Sequence, residues 1–149
     1  MDTPKHQPPA LPAAEMICFS LYSATHAMQH AYKPLLEALG LTYPQYLALV
    51  ALWGEDGQTV GQLGAALQLE SNTLTPLLKR MEAQGLVVRA RDTRDERQVR
   101  VTLSAAGREM QARAADIPRC ILEKSGLTLE ALLALRDQVN SLRDQLRAD

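Results

Sequence analysis

This sequence predicts a mainly α-helical fold carrying one small β-hairpin, and three observations predict it. The first is an arginine-rich run, Arg-Ala-Arg-Asp-Thr-Arg-Asp-Glu-Arg-Gln-Val-Arg at residues 89–100, entered by Leu86-Val87-Val88 and left by Val99, Val101 and Leu103 in alternation with polar residues. A period of two marks a half-buried strand, so the run is the tip of a hairpin. The second is a pair of short, capped, amphipathic helical segments directly ahead of it. The third is a seam near the C-terminus, Leu132, Leu135, Val139, Leu142 and Leu146, stepping by three and four residues. Helix, turn, helix, hairpin is the order of a winged helix-turn-helix. It is expected over residues 43–103 of a single domain spanning 13–149, with N- and C-terminal dimerisation helices at 13–39 and 104–147.

Residues 1–12, with Pro4, Pro8, Pro9 and Pro12, read as a disordered or loosely attached tail. Residues 13–39 have helical composition, with Ile17, Leu21, Ala24 and Met28 on one stripe. Pro34 is expected to kink or end that helix, because proline removes a backbone donor. Thr42 caps the next, with Pro44 in its first turn and Tyr46, Leu47, Leu49, Val50 and Trp53 as apolar content. Gly54 and Gly57 break the pattern. Thr59 then caps a short helix through Leu67, with Val60, Leu63, Ala66 and Leu67 expected inward. After Gln68-Leu69-Glu70, Ser71 or Asn72 is expected to cap a helix bearing Leu74, Leu77, Leu78 and Met81 and stopping at Gly85. Beyond the hairpin, Ser104 caps a helix expected to reach about Pro118 or somewhat further. Gly126 separates it from a last helix starting near Thr128. The seam on that helix wants a partner helix, read here as a second copy of the chain.

Composition narrows the function. A chain of 149 residues with 46% hydrophobic content builds a sizeable core, and a net charge of -1 excludes a polycation. Contact with nucleic acid must therefore come from local clusters of Lys and Arg. Aromatic residues at 4% are too few for a single-strand stacking platform. No apolar run spans a bilayer and no apolar signal core opens the chain, so a cytoplasmic protein without membrane contact is expected. In that reducing setting two cysteines do not read as a structural disulfide, and their spacing does not suit a metal; no cofactor is expected.

The middle of the chain suggests double-stranded DNA. In a helix-turn-helix the second helix lies in the major groove, and its first residues meet base edges. Here those are Ser71, Asn72, Thr73 and Thr75: short polar side chains able to bond bases or phosphates. Pro76 stiffens the first turns, while Lys79 and Arg80, a turn further on, suit phosphates. Guanidinium groups on a protruding hairpin suit the negative potential of a narrow minor groove. The plainer reading makes Ser71 a cap and the charges a solvated surface.

Cys18 lies in Glu15-Met16-Ile17-Cys18-Phe19-Ser20-Leu21-Tyr22. Free cysteine is often simply a small buried hydrophobe. Tyr22 lies one helical turn on, however, and Tyr32 and Tyr43 follow. A phenol donating to a thiolate contributes roughly 1.5–3 kcal/mol, and the thiolate is the form that attacks peroxides. Spacing alone leaves both readings open.

From Thr59 to Gly107 the chain resembles the winged helix of MarR-type bacterial transcription regulators. The resemblance is carried by Thr73-Leu74-Thr75-Pro76-Leu77-Leu78-Lys79-Arg80-Met81-Glu82, by Gly85-Leu86-Val87, by the Asp-x-Arg-Asp-x-Arg run from Asp92 to Arg97, and by Leu103-Ser104-Ala105-Ala106-Gly107. It implies that Arg97 enters the minor groove with Asp95 holding its guanidinium, that Arg94 meets a phosphate, and that a homodimer reads a pseudo-palindrome with half-sites roughly 34 Å or more apart.

Cys-Phe-x-Leu-Tyr from Cys18, Tyr32-Lys33-Pro34-Leu35-Leu36, and Leu41-Thr42-Tyr43-Pro44-Gln45-Tyr46-Leu47-Ala48-Leu49 are similar to the organic-hydroperoxide-sensing OhrR subgroup. That likeness implies that Cys18 is the peroxidatic sensor, with Tyr32 and Tyr43 as thiolate partners contributed partly across the dimer and Tyr22 as a pocket residue. Cys120, in Ile117-Pro118-Arg119-Cys120-Ile121-Leu122, matches the two-cysteine type and would resolve the sulfenic acid; otherwise it packs at the dimer seam. The implied function is a DNA-binding repressor that lets go when organic hydroperoxides oxidise Cys18. One rival is a MarR-type repressor answering a reversibly bound small ligand, with structural cysteines. A thiol peroxidase is another, but it gives no reason for the wing.

Overall fold

The computed structural model describes residues 11–148. The tail expected over residues 1–12 lies outside them except for Leu11 and Pro12, which are exposed. A single 3-10 turn, Ala13–Glu15, leads into α1 (Ile17–Glu37). There follow α2 (Tyr43–Gly54), β1 (Gln58–Thr59), α3 (Val60–Leu67), α4 (Ser71–Ala83), β2 (Val87–Arg91), β3 (Val99–Leu103), α5 (Ala105–Arg113), α6 (Ile117–Ser125) and α7 (Leu129–Arg147). The fold is mainly helical with a small antiparallel sheet, as the pattern predicts.

Local chemistry sets the boundaries. At α2, Thr42 Oγ1 accepts from Gln45 N–H at 3.4 Å while Gln45 Oε1 accepts from Thr42 N–H at 3.1 Å. At α3, Thr59 and Gln62 repeat this reciprocal box at 3.1 and 2.9 Å. Ser104 Oγ accepts from Gly107 N–H at 3.0 Å, and Thr128 Oγ1 from Ala131 N–H at 3.1 Å. Each such cap stabilises its helix by about 1 kcal/mol.

Three details differ from expectation. Pro34 neither ends nor breaks α1, which continues to Glu37. Within the last turn its missing N–H forfeits one bond only, and Ala38 N–H still reaches Pro34 O at 3.4 Å. The helix expected from Ser104 to about Pro118 is two helices: Pro118 stands in the first turn of α6, where no N–H is needed, so it opens a helix after a turn at Ala114–Asp116. The hairpin also gains a third strand. β1 is only two residues long, too short to leave a periodic signal, and the sheet order is β1-β3-β2. Gln58 is buried there because its amide donates to Ala51 O at 3.1 Å and Glu55 O at 2.8 Å.

The core gathers Leu36 of α1, Leu49 and Leu52 of α2, Leu63 of α3, Leu74, Leu78 and Met81 of α4, and Val87 and Val101 of the sheet, all at most 2% exposed. Of the expected inward face of α3, Leu63 is buried, Val60 and Leu67 half-buried, and Ala66 exposed. The terminal helices behave differently: α1 buries only Leu36 and α7 buries nothing. Ile17, Phe19, Tyr22 and Met28 of α1, and Leu129, Leu135, Val139 and Leu146 of α7, are exposed.

Candidate functional site

The turn between α3 and α4 is tight because Gln68 adopts φ +56° and Leu69 N–H returns to Gly64 O at 2.9 Å. Gly64 permits this approach: a Cβ there would sit 2.8 Å from Leu69 O. α4 then buries Leu74, Leu77, Leu78 and Met81, leaving Ser71, Asn72, Thr73, Pro76, Lys79 and Arg80 exposed and Thr75 half-buried. Neither Ser71 nor Asn72 is the cap. Glu70 holds that position, its carbonyl accepting from the N–H groups of Thr73 and Leu74 at 3.0 Å, so the side chains of Ser71 and Asn72 begin the exposed face. Ser71 and Thr75 share a cleft of about 290 Å³ with Thr59, Val60 and Gly61 and with Arg97, Gln98 and Val99 beyond the wing tip. The start of α4 and the wing thus border one concave surface.

The wing is held by carboxylates. Asp95 accepts from Arg97 Nε at 3.0 Å through one oxygen and from Arg97 Nη2 at 3.3 Å through the other, and from the Arg97 backbone N–H at 3.1 Å. This fork fixes a guanidinium whose side chain is 90% exposed. The Arg97 side chain and then its backbone N–H hold the Asp95 carboxyl below the usual carboxylate range. Arg94 is exposed, with its N–H bonded to Asp92 Oδ1 at 2.9 Å. Below the tip, Glu82 at the end of α4 accepts from Arg89 N–H at 2.8 Å and pairs with its guanidinium at 3.3 Å, tying β2 to α4.

Sequence reasoning missed the base of the wing. Asp92 is 8% exposed and pairs with Arg100 at 2.6 Å, and Arg100 also donates to Gly57 O. Only the polarity of Arg100 within an alternating strand hinted at this. Trp53 is another omission: its indole donates to Gly107 O at 2.9 Å and anchors α5 on α2.

Cys18 is exposed near the start of α1, and Cys120 is half-buried in α6; both are free thiols. Tyr22, one turn from Cys18, is 62% exposed and lies against His26 with ring centroids 4.5 Å apart. Tyr32 and Tyr43 meet at 5.0 Å, and Tyr46, which the sequence did not single out for this cluster, lies 5.9 Å from Tyr32. Burial, reinforced by Tyr43 and Tyr46, pushes the Tyr32 phenol up to about 12, and burial also raises Tyr43 and Tyr46. These phenols therefore remain hydrogen-bond donors at neutral pH. Cys18 and Tyr32 are fourteen residues apart on one helix, or about 21 Å along its axis. One chain thus brings Tyr32 and Tyr43 together but not Cys18 with them. Tyr43 lines a cleft of about 520 Å³ with His26, His30, Lys33, Leu36 and Leu41. Cys120 adjoins Ile121, which faces Ala24, Ala27 and Met28 of α1 across a groove of about 320 Å³.

Among the described residues no cluster of His, Cys, Asp and Glu could hold a metal ion, and no helix is long and apolar enough to cross a membrane. Residues 30–113, more than half of the chain, match the family model of the transcriptional regulator SarA/Rot. The chain is 48% identical over 132 residues to the HTH-type transcriptional regulator TtmR of Methylorubrum extorquens, covering 89% of this chain and 68% of TtmR. It is 45% identical over 130 residues to the organic hydroperoxide resistance transcriptional regulator of Bacillus subtilis, covering 87% and 88%. Reduced AbfR bound to DNA superposes with a TM-score of 0.74 at 35% identity, over 91% of this chain and 96% of AbfR. Disulfide-formed AbfR superposes at 0.61 with 36% identity, over 87% and 90%. These relatives are regulators, which removes the peroxidase reading. Helix-turn-helix, wing and family model agree: the chain belongs to the SarA/Rot and MarR-type winged-helix family of DNA-binding transcriptional regulators.

Proposed function

We propose that this regulator is a cytoplasmic homodimeric repressor whose grip on DNA is released when an organic hydroperoxide oxidises Cys18. The observation that carries the reading is the separation of donors from sulfur. Tyr32 and Tyr43 form a half-buried phenol pair beside an open cleft, while Cys18 projects from a stretch of α1 that buries nothing against its own chain. A second copy supplies both needs. The exposed apolar residues of α1 and α7 form the interface, and docking brings Cys18 of one protomer to the phenols of its partner. The 45% identity to the Bacillus regulator, whose name states organic hydroperoxide resistance, supports the same signal.

The chemistry balances in two steps. The Cys18 thiolate attacks the distal oxygen of the hydroperoxide; the O–O bond breaks, sulfur becomes a sulfenic acid, and the alkoxide leaves as an alcohol after taking up a proton. The Cys120 thiol then displaces water from the sulfenic acid, forming a disulfide. A disulfide requires Cα atoms within about 7 Å. If the two sulfurs of the reduced dimer lie further apart, closing the bond moves α6 and the start of α1, and with them the helices that set the spacing of the two α4 helices. A nearly complete switch needs on the order of 5 kcal/mol of differential stability. In the reduced dimer, Ser71, Asn72, Thr73 and Thr75 meet base edges, Lys79, Arg80 and Arg94 meet phosphates, and Arg97, held by Asp95, enters the minor groove.

The cleft beside Tyr43 favours one alternative, a reversibly bound small ligand. Gel shifts of wild type, Cys18→Ser and Cys120→Ser with cumene hydroperoxide separate the two. Redox sensing predicts that wild type dissociates, Cys18→Ser stays bound, and Cys120→Ser responds but becomes over-oxidised or resets poorly. Operator binding left untouched by cumene hydroperoxide in wild type as in both variants would favour the ligand reading.

A further inference from the structure

We infer that Arg100 and Asp92 are positioning residues for DNA binding: their ion pair, anchored on Gly57, sets the angle at which the wing presents Arg97 to the minor groove. Arg100 lies on the central strand, in register with Thr59 of β1 on one side and Ala90 of β2 on the other. Its guanidinium reaches both flanks. One nitrogen donates to Gly57 O, just ahead of β1, and the other pairs with Asp92 Oδ2 at 2.6 Å, just after β2. A single side chain therefore spans all three strands where the wing leaves the body of the domain.

Both ends of this bridge are fixed. Asp56 accepts from Gly57 N–H at 2.8 Å and from Leu103 N–H at 2.9 Å, and pairs with Arg108 of α5 at 3.5 Å, so the loop bearing Gly57 is bound to β3 and α5. At the other end, Asp92 N–H donates to Gln98 O at 2.8 Å, closing the hairpin, while its second carboxylate oxygen accepts from Arg94 N–H at 2.9 Å. The path runs from α5 through Asp56, Gly57, Arg100 and Asp92 to the turn that carries Arg94, Asp95 and Arg97. A planar guanidinium suits this role because its several N–H donors point in fixed directions, whereas an ammonium group cannot hold two acceptors at a set angle. Arg100 itself is half-buried, turned toward its two partners rather than toward the tip.

The inference rests on the wing's reading of DNA, and a double-mutant cycle separates failure of one from failure of the other. Operator affinity is measured by fluorescence anisotropy for wild type, Arg97→Ala, Arg100→Met and the double variant, with thermal unfolding recorded for each. Arg97→Ala is expected to weaken binding roughly ten- to hundredfold. Arg100→Met should weaken it about tenfold, and the double variant should bind no more weakly than Arg97→Ala alone, because the angle matters only through Arg97. Arg100→Lys, retaining charge but not the fork, should fall between wild type and Arg100→Met. Losses that multiply in the double variant would overturn the inference, marking Arg100 as an independent phosphate contact or a general stabiliser. Wild-type affinity in Arg100→Met beside a weak Arg97→Ala would overturn it alone. Full affinity in Arg97→Ala would overturn the wing reading and this inference together.

Discussion

Tyr32 and Tyr43 hold their ring centroids 5.0 Å apart with their planes tilted by 57°, bridging α1 and the start of α2 beside the cleft that Tyr43 lines. Removing either hydroxyl should slow Cys18 oxidation. Each phenol bond to a charged sulfur is worth roughly 1.5–3 kcal/mol, so Tyr32→Phe and Tyr43→Phe should each react roughly ten- to hundredfold more slowly at neutral pH. Reduced affinity for operator should be unchanged. Stopped-flow oxidation with cumene hydroperoxide checks the rate. The raised Tyr32 phenol also has a consequence for stability. The folded state keeps its proton while the unfolded chain loses it above about 10, so the contribution is complete below 10 and is lost as pH rises toward 12. Unfolding midpoints should fall over that window, less steeply in Tyr32→Phe.

The Asp95–Arg97 fork predicts a loss of affinity without a loss of stability. Both side chains stand at the surface, so Asp95→Ala should leave the unfolding midpoint close to that of wild type. Operator affinity should nevertheless fall several-fold as the guanidinium loses its direction. The Asp95 carboxyl is depressed by the Arg97 side chain and backbone, so the fork persists to below the ordinary carboxylate range and weakens only as pH falls further. Wing amide and Arg97 Nε resonances should therefore hold steady between pH 8 and 5 and shift below about 4.

Gly107 is a packing test of the wing's support. A Cβ at this position would lie 2.2 Å from Leu86 O and 3.2 Å from a Leu103 methyl. Gly107→Ala should destabilise the fold by about 1–3 kcal/mol or more by forcing α5 away from the root of the wing. The Trp53 bond to Gly107 O should lengthen with it, visible as a red-shifted tryptophan emission in the folded state.

The exposed seam on α7 predicts assembly. Leu135 is 48% exposed and Val139 38% exposed on a helix that buries nothing. Leu135→Arg with Val139→Arg should convert a dimer to a monomer in sedimentation velocity and abolish binding to a two-half-site operator, with the helical content of the winged region retained.

Much of this was legible in the residues because it depended on local chemistry. Thr42, Thr59 and Ser104 cap helices where caps were expected, the last helix starts beside Thr128 as expected, and the alternation of Val99, Val101 and Leu103 marked the return strand. Pro118 misled because proline is permissive in a helix's first turn, a distinction of position that composition does not reveal. β1 and the Arg100 bridge were hidden for a different reason. Gly57 and Gln58 meet Arg100 and Val101 across 43 positions of sequence, and no period records that. The phenol pair was named from resemblance. Its distance from Cys18 along α1 came only with the fold.

In the proposed function the oxidation state of the Cys18 sulfur sets operator occupancy. This is tested most directly by titrating the reduced protein on labelled operator with an organic hydroperoxide while intact mass follows Cys18. The fraction of operator released should rise with the fraction of Cys18 oxidised, and Cys18→Ser should release none over the same titration. Full occupancy with Cys18 fully oxidised and joined to Cys120, or equal release from Cys18→Ser, would contradict it.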